Sequence, residues 1–225
     1  MPACKDKYER CEDEPFVYKD GEGIEYCVFH APRGNKGISV EKFNGKVFRK
    51  ISDVIQDNRL SGSKDNQICD FSGTIFEGNI SFESYDKSNP LPEINFYDAT
   101  FSGNANFFHA KFGGKADFFE AIFSGRADFF YAVFGGEAYF FEAIFSGRAN
   151  FFETTFSGRA NFSYATFTDE AEFSSTKFNG GAYFRGDEEN ADKKGLFKKG
   201  ADFINFSVKE KVRFEGVNLE KVSFL

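Results

Sequence analysis

Four residues near the start of the chain have the types and spacing to hold a metal. Cys4, Cys11, Cys27 and His30 form the pattern C-x6-C-x15-C-x2-H. Three thiolates and one imidazole are donors that tetrahedral Zn²⁺ prefers, and structural zinc sites are closed four-ligand cages of this kind. Pro15, Gly21 and Gly23, between the two halves of the pattern, mark turns suited to wrapping an ion. The pattern predicts one structural Zn²⁺ per chain, with no open coordination position for catalysis. The six-residue gap between Cys4 and Cys11 is wider than the usual two to four. The competing reading is a set of thiols without metal and a surface histidine.

Other residues that could do chemistry are placed by a repeat. His109, the second of two histidines, stands in a slot that other copies fill with Glu120, Tyr131, Glu142 or Glu153. Asp117 and Asp128 recur at the same period, so an outward, solvated position explains them. The Gly21-x-Gly23 pair lacks the strand and helix of a nucleotide loop. The chain holds no phosphate-binding loop, no Ser/His/Asp order and no HExxH, and reads as a non-enzyme.

The repeat is the dominant feature. Phenylalanine recurs from Phe96 to Phe184 with gaps that alternate five and six, and ADFFEAIFSGR (residues 116 to 126) is one clear copy. Such a period signals a repeat architecture. Ala105, Ala116, Ala127, Ala138, Ala149, Ala160, Ala171 and Ala182 each precede an inward Phe by two residues, the signature of a very short strand. Ser-Gly or Gly-Gly pairs follow, such as Ser124-Gly125 and Gly135-Gly136, and are expected to form corners that use positive φ. Cys69-Asp70-Phe71 fits the same grammar, which puts the Cys69 thiol in the small inward slot. The count slips by three in SYDKSNPLPEI and by eight in RGDEENADKKGL.

The strings ADF, ANF and AYF resemble the three-residue core of the pentapeptide-repeat family. The resemblance covers about residues 68 to 225. It implies an all-β solenoid, a right-handed, four-sided β-helix. Here the extra residue per pair makes a coil of 22 residues instead of 20, and only the last stretch, through Val212-x-Phe214, Val217-x-Leu219 and Val222-x-Phe224, returns to a pure period of five. Counting from Phe71 to Phe224 gives about seven coils. Stacking at that period would align Lys115, Glu137 and Arg159, and Tyr139, Asn161 and Tyr183. A flattened two-sided coil, made of a single pentad and a single hexad, is the alternative. The YCVFH string and the segment VEKFNGKVF also resemble small N-terminal modules that precede some bacterial pentapeptide-repeat tracts.

Between these parts, Val40, Phe43, Val47, Phe48, Ile51 and Val54 share one helical face behind a Ser39 N-cap, which predicts an amphipathic helix over residues 40 to 56. Repeat rods need covered ends, so this helix is expected to cap the first coil. The domain reading is a zinc knuckle at 1–36, a capping helix and linker at 37–60, and the solenoid at 61–225.

Charge and composition limit the functions. The net charge is −7, and all of it lies beyond residue 60, because residues 1 to 60 carry 11 Lys+Arg against 11 Asp+Glu. A mildly acidic rod repels nucleic acid. No apolar run is long enough to span a membrane, and the N-terminus has no secretory signal. The expectation is a soluble, cytoplasmic protein in a reducing compartment. Phe108, Phe119, Phe130, Phe141 and Phe152 follow the inward Phe, so alternation turns them outward as candidate interaction ladders. The competing reading bends them into the corners. The expected role is a structural or protein-interaction rod with an unknown protein partner. The resemblance adds the alternative of an acidic DNA mimic that binds a type II topoisomerase such as gyrase. A zinc-knuckle nucleic-acid reader is the third alternative. Phe224 and Leu225 close the sequence inside the repeat rhythm, and a homodimer through that end is the expected assembly.

Overall fold

A computed structural model of the chain describes residues 14–61, 67–83, 90–186 and 196–224. Cys4, Cys11, Leu225 and most of the two irregular segments, at 84–89 and 187–195, lie outside the described residues. The described residues form a two-stranded antiparallel hairpin, Phe16–Lys19 with Glu25–Cys27, then one helix and a β-solenoid of about six coils.

Each strand of the rod is two residues in most copies, and strands gain hydrogen bonds only from the coils before and after them. They stack in four parallel ladders of seven, five, seven and five strands. Ala116 pairs with Ala138 and Ala127 with Ala149, so one coil takes two pentads and two hexads. A coil of one pentad and one hexad would pair Ala116 with Ala127, and that alternative is ruled out. The two slips of the count appear as longer offsets, in the pairing of Cys69 with Ile94 and of Ala171 with Ala201. Those excursions use residues without adding coils, and the expected seven becomes about six.

The core is a stack of phenylalanine rings. Phe118, Phe140 and Phe162 lie 4.8 Å apart with planes within 3°. Ring planes in van der Waals contact are about 3.5 Å apart, so a 4.8 Å centroid distance means offset stacking, the favoured parallel geometry. Across the coil the rings meet edge to face, as Phe140 does with Phe129 and Phe151 at 5.5 Å and 84°. Alanine fills the alternate inward slots at full burial, which leaves room for the rings. Cys69 sits in one of these slots, fully buried, and burial pushes its thiol up to about 12. Thr154 and Thr176 take other small slots, and their hydroxyls donate to the carbonyls of Phe129 and Phe151 in the preceding coil. Thr74 holds the same slot in the first described coil, and its buried hydroxyl lacks a partner among the described residues.

Two kinds of corner alternate, and their roles differ from the expectation. In the five-residue segments the Ala121 N–H donates to the Phe118 carbonyl and Glu120 has φ of 56°, a type II turn. His109, Tyr131, Glu142, Glu153 and Tyr164 repeat this positive φ. The preceding Asp or Asn braces the turn, as the Phe119 N–H donates to Asp117 Oδ1. The Ser-Gly corners of the six-residue segments keep Gly125, Gly136 and Gly147 out of the positive-φ region. Their glycines serve close approach instead. A Cβ on Gly125 would lie 2.6 Å from the Gly103 carbonyl oxygen, and one on Gly147 2.6 Å from that of Gly125. The extra residue relaxes the bend, so φ stays ordinary while the coils touch backbone to backbone.

The helix α1 runs Val40–Ser61, longer at its C-terminal end than the spacing predicted. Its buried face packs on the first coil, Phe43 edge-on to Phe76 and Phe48 edge-on to Phe82. Gly45 breaks no contact and is merely a weak helix former. At the far end the five-residue rhythm is interrupted by a 3-10 turn, Leu219–Lys221, capped by Asn218, and Leu219 faces solvent.

Candidate interaction surfaces and the N-terminal corner

The outward phenylalanines form two columns half a coil apart, and all five are partly buried. In one, Phe108 stands 5.4 Å from Phe130, and Phe130 stands 5.3 Å from Phe152. In the other, Phe119 and Phe141 stack at 5.2 Å and 3°. The rings lie against one another along each column, neither fully exposed nor fully buried. Sequence reading missed how far the columns extend. Tyr97 lies tilted against Phe119 at 5.4 Å and Tyr164 meets Phe141 edge-on at 5.3 Å. His109 stacks on Tyr131 at 4.8 Å beside the first column, and the Tyr131 hydroxyl donates to Glu153. The one-coil spacing finds Tyr97 and His109 once Tyr and His are counted with Phe, whereas Tyr164 reaches the column from the corner slot one residue on.

The positive-φ corners set carboxylates beside these rings. Asp98, Glu120 and Glu142 flank Tyr97, Phe119 and Phe141 in sequence, each at the corner that follows the ring. The second column is therefore an aromatic stripe with an acidic margin. Such a surface favours a partner that carries cationic and apolar side chains together.

At the other end of the chain, Cys27 and His30 share one tight turn, in which the His30 and Ala31 N–H groups donate to the Cys27 carbonyl. Cys27 Sγ lies 3.2 Å from His30 Nδ1, and His30 Nε2 donates to the Ser72 carbonyl at 2.7 Å. The structure thus brings two of the four predicted ligands together. Sequence reading gave no hint of Lys36. It is buried, and its ammonium donates to the carbonyls of Val28, Phe29 and Ala31 at 2.6, 2.9 and 3.3 Å. Burial pushes that ammonium down to about 8, against the opposing pull of Glu77 and Cys27.

The two-residue parallel strands, the inward Ala and Phe slots and the stacked coils all follow one grammar, and a comparison with known families recognises it. Residues 140–186 match the family model described as Pentapeptide repeats (9 copies). Within that stretch the chain is built of pentapeptide repeats. The same ladders run in register from Cys69 to Val222, so the matched stretch lies within one continuous rod. No curated protein and no solved structure matches the chain.

Charge along the rod is paired inside its columns. Arg159 reaches Glu137 in the coil below at 3.0 Å, as the stacking predicted. Lys115 instead bonds Asp117 at 2.8 Å and lies 4.9 Å above the Tyr139 ring. Burial lowers the Lys115 ammonium, but the Asp117 carboxylate outweighs it and raises the group overall. The Tyr139 hydroxyl donates to Glu137, which holds that carboxyl below its usual range. Arg126 pairs with Asp128 at 2.7 Å. Among the described residues, no helix is long and apolar enough to cross a membrane. The last described coil is the least buried, with Val208 at 40 %, Leu219 at 46 % and Phe224 at 41 % exposure.

Proposed function

We propose that this chain is a non-enzymatic interaction rod, a right-handed, four-sided coil whose aromatic columns dock a protein partner. The observation that carries the reading is the column of Tyr97, Phe119, Phe141 and Tyr164, continuous over four coils and edged by Asp98, Glu120 and Glu142. Side-by-side rings present a large apolar surface at little cost in conformational entropy, because each ring is already held by its neighbours. The carboxylate margin selects partners with Lys or Arg near apolar residues. The test is a pull-down from the native host with the wild type and a Phe119→Ser/Phe141→Ser pair. A partner retained by both proteins would overturn the assignment of this column.

The paired cations weigh against mimicry of duplex DNA, since Arg126, Arg159 and Lys115 neutralise carboxylates along the faces. Gyrase supercoiling in the presence of equimolar protein is expected to proceed unchanged, and inhibition would reverse that ranking. We also propose self-association through the surface that bears the exposed side chains of Val208, Leu219 and Phe224. Light scattering at micromolar concentration should give a dimer; a monomer would remove the proposal. The protein is proposed to work in the cytoplasm.

A further inference from the structure

The two aromatic columns stand half a coil apart, on opposite sides of the rod, and the charge beside them differs in sign. In the three coils that carry paired rings, the half-coils of the first column, 104–112, 126–134 and 148–156, hold three cations and two carboxylates. The half-coils of the second column, 93–101, 115–123 and 137–145, hold one cation and six carboxylates. On the first side both carboxylates are engaged, Asp128 by Arg126 and Glu153 by the Tyr131 hydroxyl, while Lys111 and Arg148 are exposed. We propose that the partner docked by these columns is a second copy of this chain, with the second column of one rod lying side by side against the first column of the next. The inference rests on the reading of the columns as docking surfaces and names their occupant.

Three observations favour that occupant. First, the charges are complementary between unlike sides and repulsive between like ones. Asp98, Glu120 and Glu142 of one copy meet the side that bears Lys111, Arg126 and Arg148, whereas a symmetric pairing of second columns would set Glu120 and Glu142 against their own equivalents. Second, the repeats match. Rings of the first column are 5.4 and 5.3 Å apart and those of the second 5.4, 5.2 and 5.3 Å, and both advance with the same coil. A bound β-strand presents same-face side chains about 6.6–6.8 Å apart, so it loses step with coils about 4.8 Å apart after one rung. An α-helix advances about 5.4 Å per turn and drifts by about 2 Å over three rungs. A second rod stays in step along its whole length. Third, the ring packing differs between the columns. Phe119 and Phe141 are parallel within 3°, so they cover each other's faces and turn edges outward. Phe130 and Phe152 stand at 65°, which leaves part of a ring face uncovered. An edge against a face is the favoured contact between aromatic rings.

The contact is small. Four coils and their flanking residues offer about 300–400 Å² per copy, given about 4.8 Å between coils and about 3.3 Å per residue along a strand. That is under half of the roughly 800 Å² per partner in a standard interface, so a single contact is weak. Repetition strengthens it. Each copy carries one side of each kind, so the arrangement is heterologous and continues from rod to rod. The exposed side chains of Val208, Leu219 and Phe224 lie in the last described coil, away from both columns, so the two modes of association separate by substitution.

The experiment is sedimentation of the full chain from micromolar to millimolar concentration, at low and high salt. The wild type and Phe224→Ser should both show a weight-average mass that climbs beyond a dimer with concentration and falls as salt rises. Glu120→Lys/Glu142→Lys and Lys111→Glu/Arg148→Glu, each with the wild-type urea midpoint, should each weaken this association by about ten-fold or more. An equimolar mixture of the two should restore it, because the reversed sides then complement one another across copies. Phe119→Ser/Phe141→Ser should weaken it to a similar extent. A mass that never passes the dimer, reversed variants that associate like the wild type, or a mixture no better than its parts would each overturn the inference. If lateral association is absent while Phe119→Ser/Phe141→Ser still loses a host protein in the pull-down, the occupant is a different protein and the column keeps its docking role. If neither is seen, both readings fall.

Discussion

Three glycines should answer the same substitution in three ways, because each is glycine for a different reason. Gly147 has an ordinary φ, but an added Cβ would sit 2.6 Å from the Gly125 oxygen and 2.7 Å from its carbonyl carbon. Ordinary contact begins near 3.4 Å, so neighbouring backbones must part by roughly 0.8 Å. Overpacking costs about 1–3 kcal/mol, and backbone cannot swing aside as a side chain does. The loss of unfolded-state entropy returns about 0.4–1 kcal/mol, so Gly147→Ala should destabilise by about 1–2 kcal/mol. Gly45 lies in α1 with open space around it and no positive φ, and Gly45→Ala should stabilise by about 0.5–1 kcal/mol. Gly34 also faces open space but has φ of 81°, so Gly34→Ala should cost about 1–2 kcal/mol through backbone strain alone. Asparagine tolerates that conformation and should recover part of the loss at Gly34 but none at Gly147. Urea titrations give the sizes. Amide exchange at Ala127 and Ser146, whose bonds cross the affected coils, locates the damage at Gly147. Wild-type stability and unchanged protection in Gly147→Ala, or a rescue by Gly147→Asn, would refute the steric account.

Other expectations follow from burial and charge. Phe140→Ala removes a fully buried ring and should cost about 3–5 kcal/mol, whereas Phe141→Ala, one residue along and partly in solvent, should cost about 1 kcal/mol; comparable losses in urea titration would refute the alternation. Arg159→Ala breaks a mostly exposed pair and should change stability by about 0.2–1 kcal/mol, a change that disappears in high salt. Iodoacetamide at pH 8 should leave Cys69 unmodified in the folded chain, since the thiol is buried and held protonated up to about 12; modification by mass spectrometry without unfolding would contradict this. Cys69 and Lys36 also give opposing pH slopes. The raised Cys69 pKa means that the unfolded chain loses its proton first, so its contribution to stability is full below 9 and falls as pH rises from 9 toward 12. The lowered Lys36 pKa means that the unfolded chain binds more protons between about 8 and 10.5, so its contribution rises there. Each slope approaches about 1.4 kcal/mol per pH unit. Relative to wild type, Cys69→Ala should therefore gain an upward slope between pH 9 and 10.5 and Lys36→Met a downward one, as read from urea unfolding.

The register of the rod was legible because it is written in residue types. The longer pairing offsets at Cys69 and Ala171 reproduce the slips of three and eight in the phenylalanine count. The buried face of the helix was legible for the same reason. The glycine corners were misread, because sequence shows that a small residue recurs but not whether φ or a neighbouring chain requires it. Glu120 and its equivalents hid the positive φ, since a charged residue at a corner looks like any solvated position. Lys36 was invisible because its partners are main-chain carbonyls, which no side-chain pattern encodes. Leu219 was placed in the rhythm by its spacing, yet the Asn218 cap diverts it into a 3-10 turn.

The alternation of corners separates what holds the rod from what it can offer. At the glycine corner the coils touch through backbone, so a side chain there disrupts stacking and the slot stays small. At the other corner the left-handed residue points away from the coil, and its neighbours in the column accept His, Tyr, Glu or Ser with the same φ of 56–57° at His109, Tyr131, Glu142 and Ser175. The backbone strain is met by the turn's own bond and by the Asp or Asn that braces it, not by the identity of the corner residue. Each coil contacts only its neighbours, so a change at one such corner leaves the rest of the core untouched. These corners and the rings beside them are thus the positions at which recognition can vary without a penalty in folding. A partner's specificity should therefore track Glu120, Tyr131, Glu142 and Glu153 more closely than the inward Phe column: corner exchanges such as Glu142→Lys should alter binding in the pull-down while the urea midpoint stays within about 0.5 kcal/mol of wild type.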